Sequence, residues 1–133
     1  MSDRPKVRTC LWFDGNGEEA AEFYVSLLPG STIETASPRE PTKPALVIEL
    51  SLAGTPYMFL NGGPHHKQSP AASIVVRTAD QAETDRLWDA LLAGGGEESR
   101  CAWLTDRFGV SRTIVHGCSP QESCDAHVPS VHA

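Results

Sequence analysis

The chain has 133 residues, 40% of them hydrophobic and 21% charged, with a formal net charge of −6 at pH 7. That is enough for one domain with a real core and is ordinary for a globular protein, while the negative charge, with Lys and Arg scattered and no aromatic run among them, excludes nucleic acid and anionic membrane as partners. No apolar stretch is long enough to span a bilayer and MSDRPKVRTC has no signal-like apolar segment, so no membrane partner and a cytoplasmic location are expected.

Residues 7–13, VRTCLWF, are apolar and close in Asp14-Gly15, which predicts a buried strand. The following DGNGEEAAEFY matches neither GxxxxGK[ST] nor GxGxxG, and Glu18 and Glu19 stand where a phosphate would sit. It reads as the turn into a helix. Asn16 is the expected N-cap and Glu19, three residues on, completes a capping box. Ala21, Tyr24, Val25 and Leu28 give that helix its apolar face, and Pro29-Gly30 ends it. Residues 31–36 are a short strand, and 37–44, with three prolines, an exposed loop. Residues 45–52 and 56–60 form a hairpin about Ala53-Gly54-Thr55. Alternation puts Val47, Glu49 and Ser51 on one face and Leu46, Ile48, Leu50 and Leu52 on the other.

After the loop NGGPHHKQSP the plan repeats. Residues 72–78 predict a second buried strand. ADQAETDRLWDALLAGGG predicts a helix capped by Asp80 with Glu83 three residues on, an apolar face of Leu87, Trp88, Leu91 and Leu92, and a stop at Gly94-Gly95-Gly96. CAWLTDRFGVSRTIVH reads as two strands about a turn at Arg107-Phe108-Gly109. Strand, capped helix and several strands, twice over, define a two-module α+β protein.

Four segments carry a family resemblance: CLWFDGNGEEAAEFYVSLLPGSTI, FLNGGP, ASIVVRTADQAETDRLWDALLAGG and CAWLTDRFGVSRTIV. Together they resemble the PhnB-like branch of the vicinal oxygen chelate superfamily, also called 3-demethylubiquinone-9 3-methyltransferase, over roughly residues 8–115. The resemblance implies the glyoxalase/bleomycin resistance/dioxygenase fold. In it two βαβββ modules, here about 5–62 and 71–116 of a single domain over 1–116, curl a mixed sheet around a shared cavity. It also implies a homodimer, often with exchanged modules. A methyl donor usually sits behind a glycine-rich loop between a first strand and a helix; no GxGxG follows a strand here, and Gly94 to Gly96 follow a helix.

Metal-dependent members of the superfamily place His, Glu or Gln at four inward strand positions. Projected onto this chain, these fall at or near Thr9, Leu60 or Asn61, Ser73 and Thr113. Hydroxyls and an amide are poor ligands for a transition metal, so no metal and no other cofactor is predicted. Glu49 belongs to the strand before the metal-bearing one and reads as a satisfied strand carboxylate. His65 and His66 are adjacent in a loop that rims the cavity in the family. Their side chains diverge, so His65 is a ligand-contact candidate rather than half of a chelate. Trp88 lies on an apolar helix face, while Trp12 and Trp103 are strand residues that either line the cavity or pack.

The four cysteines, Cys10, Cys101, Cys118 and Cys124, are expected as thiols, and Cys101, which matches a family cysteine, as a packed one without a recognisable base. The polar tail over 117–133 reads as disordered, and its C-x5-C-x2-H-x4-H pattern (Cys118, Cys124, His127, His132) has unorthodox zinc spacing. Two functions follow. One is a protein that holds a small organic molecule in the cavity, with Thr9, Trp12, Glu49, Asn61, His65, Ser73, Trp103 and Thr113 as lining candidates. The other is an enzyme on a small organic substrate, glyoxalase- or dioxygenase-like or a methyltransferase as the family's other name has it, with a divalent metal held by residues such as Glu49 and His65.

Overall fold

A computed structural model describes residues 4–38, 40–99 and 103–116. Cys101 and the tail over 117–133, with its Cys and His residues, lie outside the described residues. The chain divides into two compact units, one up to Lys67 and one from Gln68. No helix among the described residues is long and apolar enough to cross a membrane.

The first unit runs β1 (Thr9–Phe13), α1 (Gly17–Leu27), β2 (Thr32–Ser37), β3 (Val47–Leu52), β4 (Thr55–Asn61), the expected βαβββ order. The four strands form one mixed sheet in the order β1-β4-β3-β2, with β1 and β4 parallel and the other pairs antiparallel. Register sorts the side chains into two faces. The rows Leu11–Phe59–Ile48 and Thr9–Tyr57–Leu50 point to one side. Tyr24 of α1 meets Phe59 edge-on, ring centroids 5.8 Å apart, so that side carries the helix. The rows Cys10–Met58–Glu49–Thr35 and Trp12–Leu60–Val47–Ser37 face away from α1.

Three details depart from the sequence expectations. Asn16 is the N-cap residue but its side chain accepts no cap hydrogen bond; Asn61 Oδ1, at the end of β4, accepts the Gly17 N–H instead at 2.8 Å. The buried helix face is Gly17, Ala20, Ala21 and Tyr24, small residues that let α1 lie close on the sheet, while Val25 and Leu28 are half-buried. The apolar runs also overshoot the strands. Val7 is 77% exposed before β1, and Leu46 is exposed before β3, where its N–H and C=O bond Ser37 and Asn61 while its side chain stays out of the core.

The second unit repeats the plan as β5 (Ser73–Thr78), α2 (Gln81–Leu92), β6 (Glu97–Glu98), β7 (Trp103–Thr105) and β8 (Ser111–His116), with sheet order β5-β8-β7-β6. Here the predicted cap forms. Asp80 Oδ1 accepts the Glu83 N–H at 2.8 Å, and Glu83 Oε1 accepts the Ala79 N–H at 2.7 Å. Thr78 and Thr84 share a buried hydroxyl–hydroxyl bond of 2.6 Å, which marks the α2 side of this sheet. Ile74, Val76, Arg112, Ile114 and Leu104 share that side; Ser73, Val75, Ser111, Thr113, Trp103 and Thr105 face the other way. β5 is therefore not buried on both faces, since Val75 is exposed. The short β6 was not foreshadowed by the polar GEES sequence; the Trp88 indole N–H, donated to Glu98 Oε1 at 3.0 Å, holds it.

Candidate functional site

In each unit one sheet face is committed to the core under its helix and the other turns away from it. The candidate residues divide between these faces. In the first unit Trp12 and Glu49 stand on the face turned away from α1, with Cys10, Met58 and Leu60 between them in register. Thr9 and Asn61 belong to rows on the α1 side.

Asn61 is engaged at both ends of its amide. Oδ1 accepts from Gly17 N and Nδ2 donates to the Ala45 carbonyl at 2.7 Å. The N-terminus of α1, the natural place for an anion, is thus occupied by the protein's own amide. Trp12 is fixed by the loop after β4. Its indole N–H is donated to the Gly63 carbonyl at 2.8 Å, and His66 stands edge-on to its ring, centroids 4.6 Å apart. Gly62 passes so close that a Cβ there would sit 2.2 Å from the Trp12 ring. His65 is exposed on the same loop.

Glu49 is held by three neighbours. Arg4 pairs with Oε1, Thr35 Oγ1 donates to Oε1 at 3.1 Å, and Arg8 Nε lies 3.5 Å from Oε2. Arg8, which the sequence reading passed over, also binds Glu34 at 2.5 Å. Its position was legible: alternation from Trp12 and Cys10 puts residue 8 on their face. Partial burial pushes the Cys10 thiol up, away from the thiolate a nucleophile or metal ligand requires.

In the second unit Ser73, Trp103 and Thr113 share the sheet face turned away from α2. Ser73 Oγ and Thr113 Oγ1 are 2.9 Å apart, and Thr113 pairs in register with Trp103. On the opposite side lies a buried ion pair that the sequence reading also missed, Arg112 Nε to Asp106 Oδ2 at 3.5 Å. Asp106 Oδ1 further accepts the Phe108 and Val110 N–H groups at 2.9 and 3.1 Å and so shapes the turn before β8. The available signals were Asp106 three residues before Gly109 and a charged residue at a core-side position of β8.

These donors do not fit the divalent metal that the fold implies. Among the described residues, no three His, Cys, Asp or Glu side chains gather into a ligand group. The projected positions offer a hydroxyl pair bonded to itself and an amide bonded to backbone.

The comparisons agree with this architecture. The family model described as 3-demethylubiquinone-9 3-methyltransferase matches residues 5–115. A PhnB protein of Bacillus cereus superposes with a TM-score of 0.71 at 24% identity, covering 84% of this chain and 99% of that one. A Pseudomonas aeruginosa protein gives 0.67 at 24% identity, covering 85% and 98%. The fosfomycin resistance protein FosX of Listeria monocytogenes, solved with Mn(II) and sulfate, gives 0.58 at 12% identity, covering 96% and 100%. No curated protein matches the chain. The matched span shows that the chain belongs to the family described as 3-demethylubiquinone-9 3-methyltransferase, and its two βαβββ units have the fold of these PhnB and fosfomycin resistance neighbours.

Proposed function

We propose that this protein, through its domain over residues 1–116, binds a small organic molecule on a sheet face turned away from its helix, each unit read by itself, without chelating it through a divalent metal. The observation that carries the reading is the state of the would-be ligands. Ser73 and Thr113 bond each other, both ends of the Asn61 amide bond backbone, and Glu49 is held by Arg4, Arg8 and Thr35. The contacts offered are Trp12 and Glu49 in the first unit and, separately, Ser73 and Trp103 in the second, where the buried Thr113 holds the Ser73 hydroxyl. Trp supplies apolar area and the hydroxyls supply orientation; His65, on its loop, would add a rim contact. Thr9 and Asn61 act from the α1 side as support. The reading includes a cytoplasmic homodimer.

Two measurements test it. Elemental analysis of tag-free protein purified without added metal is expected to show no stoichiometric metal. A screen of aromatic and oxygen-bearing compounds by tryptophan fluorescence is expected to find ligands whose signal is lost in Trp12→Phe or Trp103→Phe. About one metal per chain, removed by Glu49→Ala, would overturn the metal-free reading, and ligand signals unchanged in both tryptophan variants would move the site elsewhere.

A further inference from the structure

The Arg8 side chain is only 10% exposed, yet it carries a full charge. Its guanidinium meets four oxygens. Nη2 donates to Glu34 Oε1 at 2.5 Å, Nη1 to the Leu50 and Tyr57 carbonyls at 3.3 and 3.2 Å, and Nε lies 3.5 Å from Glu49 Oε2. Three strands, β2, β3 and β4, build this cage. Arg8 precedes β1, Leu50 and Tyr57 are register partners of β3 and β4, Glu49 precedes Leu50, and Glu34 sits at the irregularity of β2 between Ile33 and Thr35. A bulge re-aims the residue it adds, here toward the guanidinium.

Two carboxylates and two carbonyls are donors that suit a hard cation; Glu34 Oε1 and Glu49 Oε2 turn to Arg8, while Glu49 Oε1 turns to Arg4 and Thr35. The oxygens, however, are spread over three nitrogens of a planar fork. A point ion binds oxygens at about 2.1–2.6 Å and cannot reach a set spaced around a guanidinium. We propose that Arg8 is the resident cation of the first unit, its guanidinium filling an oxygen cage of Glu34, Glu49 and the Leu50 and Tyr57 carbonyls that is selective for guanidinium-type cations over ammonium and divalent metals. This deepens the metal-free part of the function proposed above, and it is tested without any organic ligand.

The experiment is chemical rescue. Thermal unfolding of full-length Arg8→Ala is followed in low-millimolar ethylguanidinium chloride, ethylammonium chloride, sodium chloride and manganese(II) chloride at equal ionic strength. Arg8→Ala is expected to lose melting temperature, and ethylguanidinium to restore much of the loss saturably, with no effect on the parent protein. Ethylammonium and Mn(II) are expected to restore little, and Arg8→Lys to stay destabilised. Equal rescue by ethylammonium, stronger rescue by Mn(II), or no saturable rescue overturns the proposal. Should Arg8→Ala not fold, Glu34→Gln and Glu49→Gln decide it in the parent background. Each alone leaves one carboxylate on the guanidinium and is expected to lose little, whereas the pair together is expected to lose far more than their sum. Additive losses overturn it. Metal found in the parent protein would sink the functional reading, whereas only the rescue pattern and the carboxylate pair decide the cage.

Discussion

Asn61 Oδ1 accepts the Gly17 N–H at 2.8 Å, so the last residue of β4 closes the first turn of α1, 44 residues away in sequence. The same amide donates to the Ala45 carbonyl at 2.7 Å and ties the approach to β3 into the junction. Asn61→Ala breaks two part-buried bonds and strands their partners, an expected loss of about 2–3 kcal/mol. Asn61→Asp keeps the acceptor for Gly17 and loses the donor to Ala45, so its loss is expected to be smaller. Urea-denaturation midpoints at unchanged m-value check the order.

The two helices predict opposite responses at their caps. Asp80 accepts the Glu83 N–H, and Asp80→Ala is expected to cost about 1 kcal/mol. Asn16 makes no side-chain cap bond, so Asn16→Ala is expected to be nearly neutral. Equal losses at both positions would show that Asn16 caps α1 in solution.

Gly62 touches Trp12 where a Cβ would stand 2.2 Å from the ring. Gly62→Ala is expected to cost about 1–3 kcal/mol through overpacking. In a Trp12→Ala background the obstruction is gone, so the same change is expected to cost much less. A double-mutant cycle by chemical denaturation reads the difference.

Asp106 and Arg112 form a pair with side chains 0% and 2% exposed. Asp106→Ala removes the carboxylate beside a buried guanidinium and also frees the Phe108 and Val110 N–H groups. The expected loss is about 3–5 kcal/mol. Arg112→Met replaces the guanidinium with apolar volume and leaves Asp106 its two backbone donors, so it is expected to cost less than half as much. Thermal unfolding of the two variants side by side tests the ranking.

Partial burial raises the thiol of Cys10, a residue otherwise exposed on β1, so it holds its proton to higher pH than a free thiol. Iodoacetamide labelling at Cys10, followed by mass spectrometry to separate it from the other cysteines, is expected to be slow at neutral pH and to accelerate only above the ordinary thiol range. The sign for stability follows from linkage. A raised folded pKa means the folded state holds its proton longer, so this contribution is complete below about pH 8.5 and is lost as pH rises beyond it. Rapid labelling of the folded protein at pH 7 would contradict the protonated thiol.

Local patterns carried the elements well. Two strand–helix–strand runs, the Asp80 cap and the glycine stop of α2 were all legible, because each depends on residues within a few positions of one another. The alternation through Val47 to Leu52 likewise sorted Ile48, Leu50 and Leu52 into the core. Leu46 failed that pattern because alternation cannot say where pairing begins. Residues 9 and 61 were projected as ligand-facing, yet parallel pairing of Leu11 with Phe59 sets both on the α1 side; a one-residue difference in register reverses a face.

By itself the sequence determined the repeated α+β plan, since hydrophobic period, caps and turn residues act over short spans of chain, and four of its segments carried the family resemblance. Only the tertiary structure decided that Asn61 caps α1, that Arg8 sits among Glu34, Glu49, Leu50 and Tyr57, and that Asp106 meets Arg112 under α2. The first joins a strand to a helix and the second joins residues from different strands, while the third spans a folded turn. Those are fixed only when the sheets pair, because a buried polar group takes whichever partner the assembled backbone brings within reach.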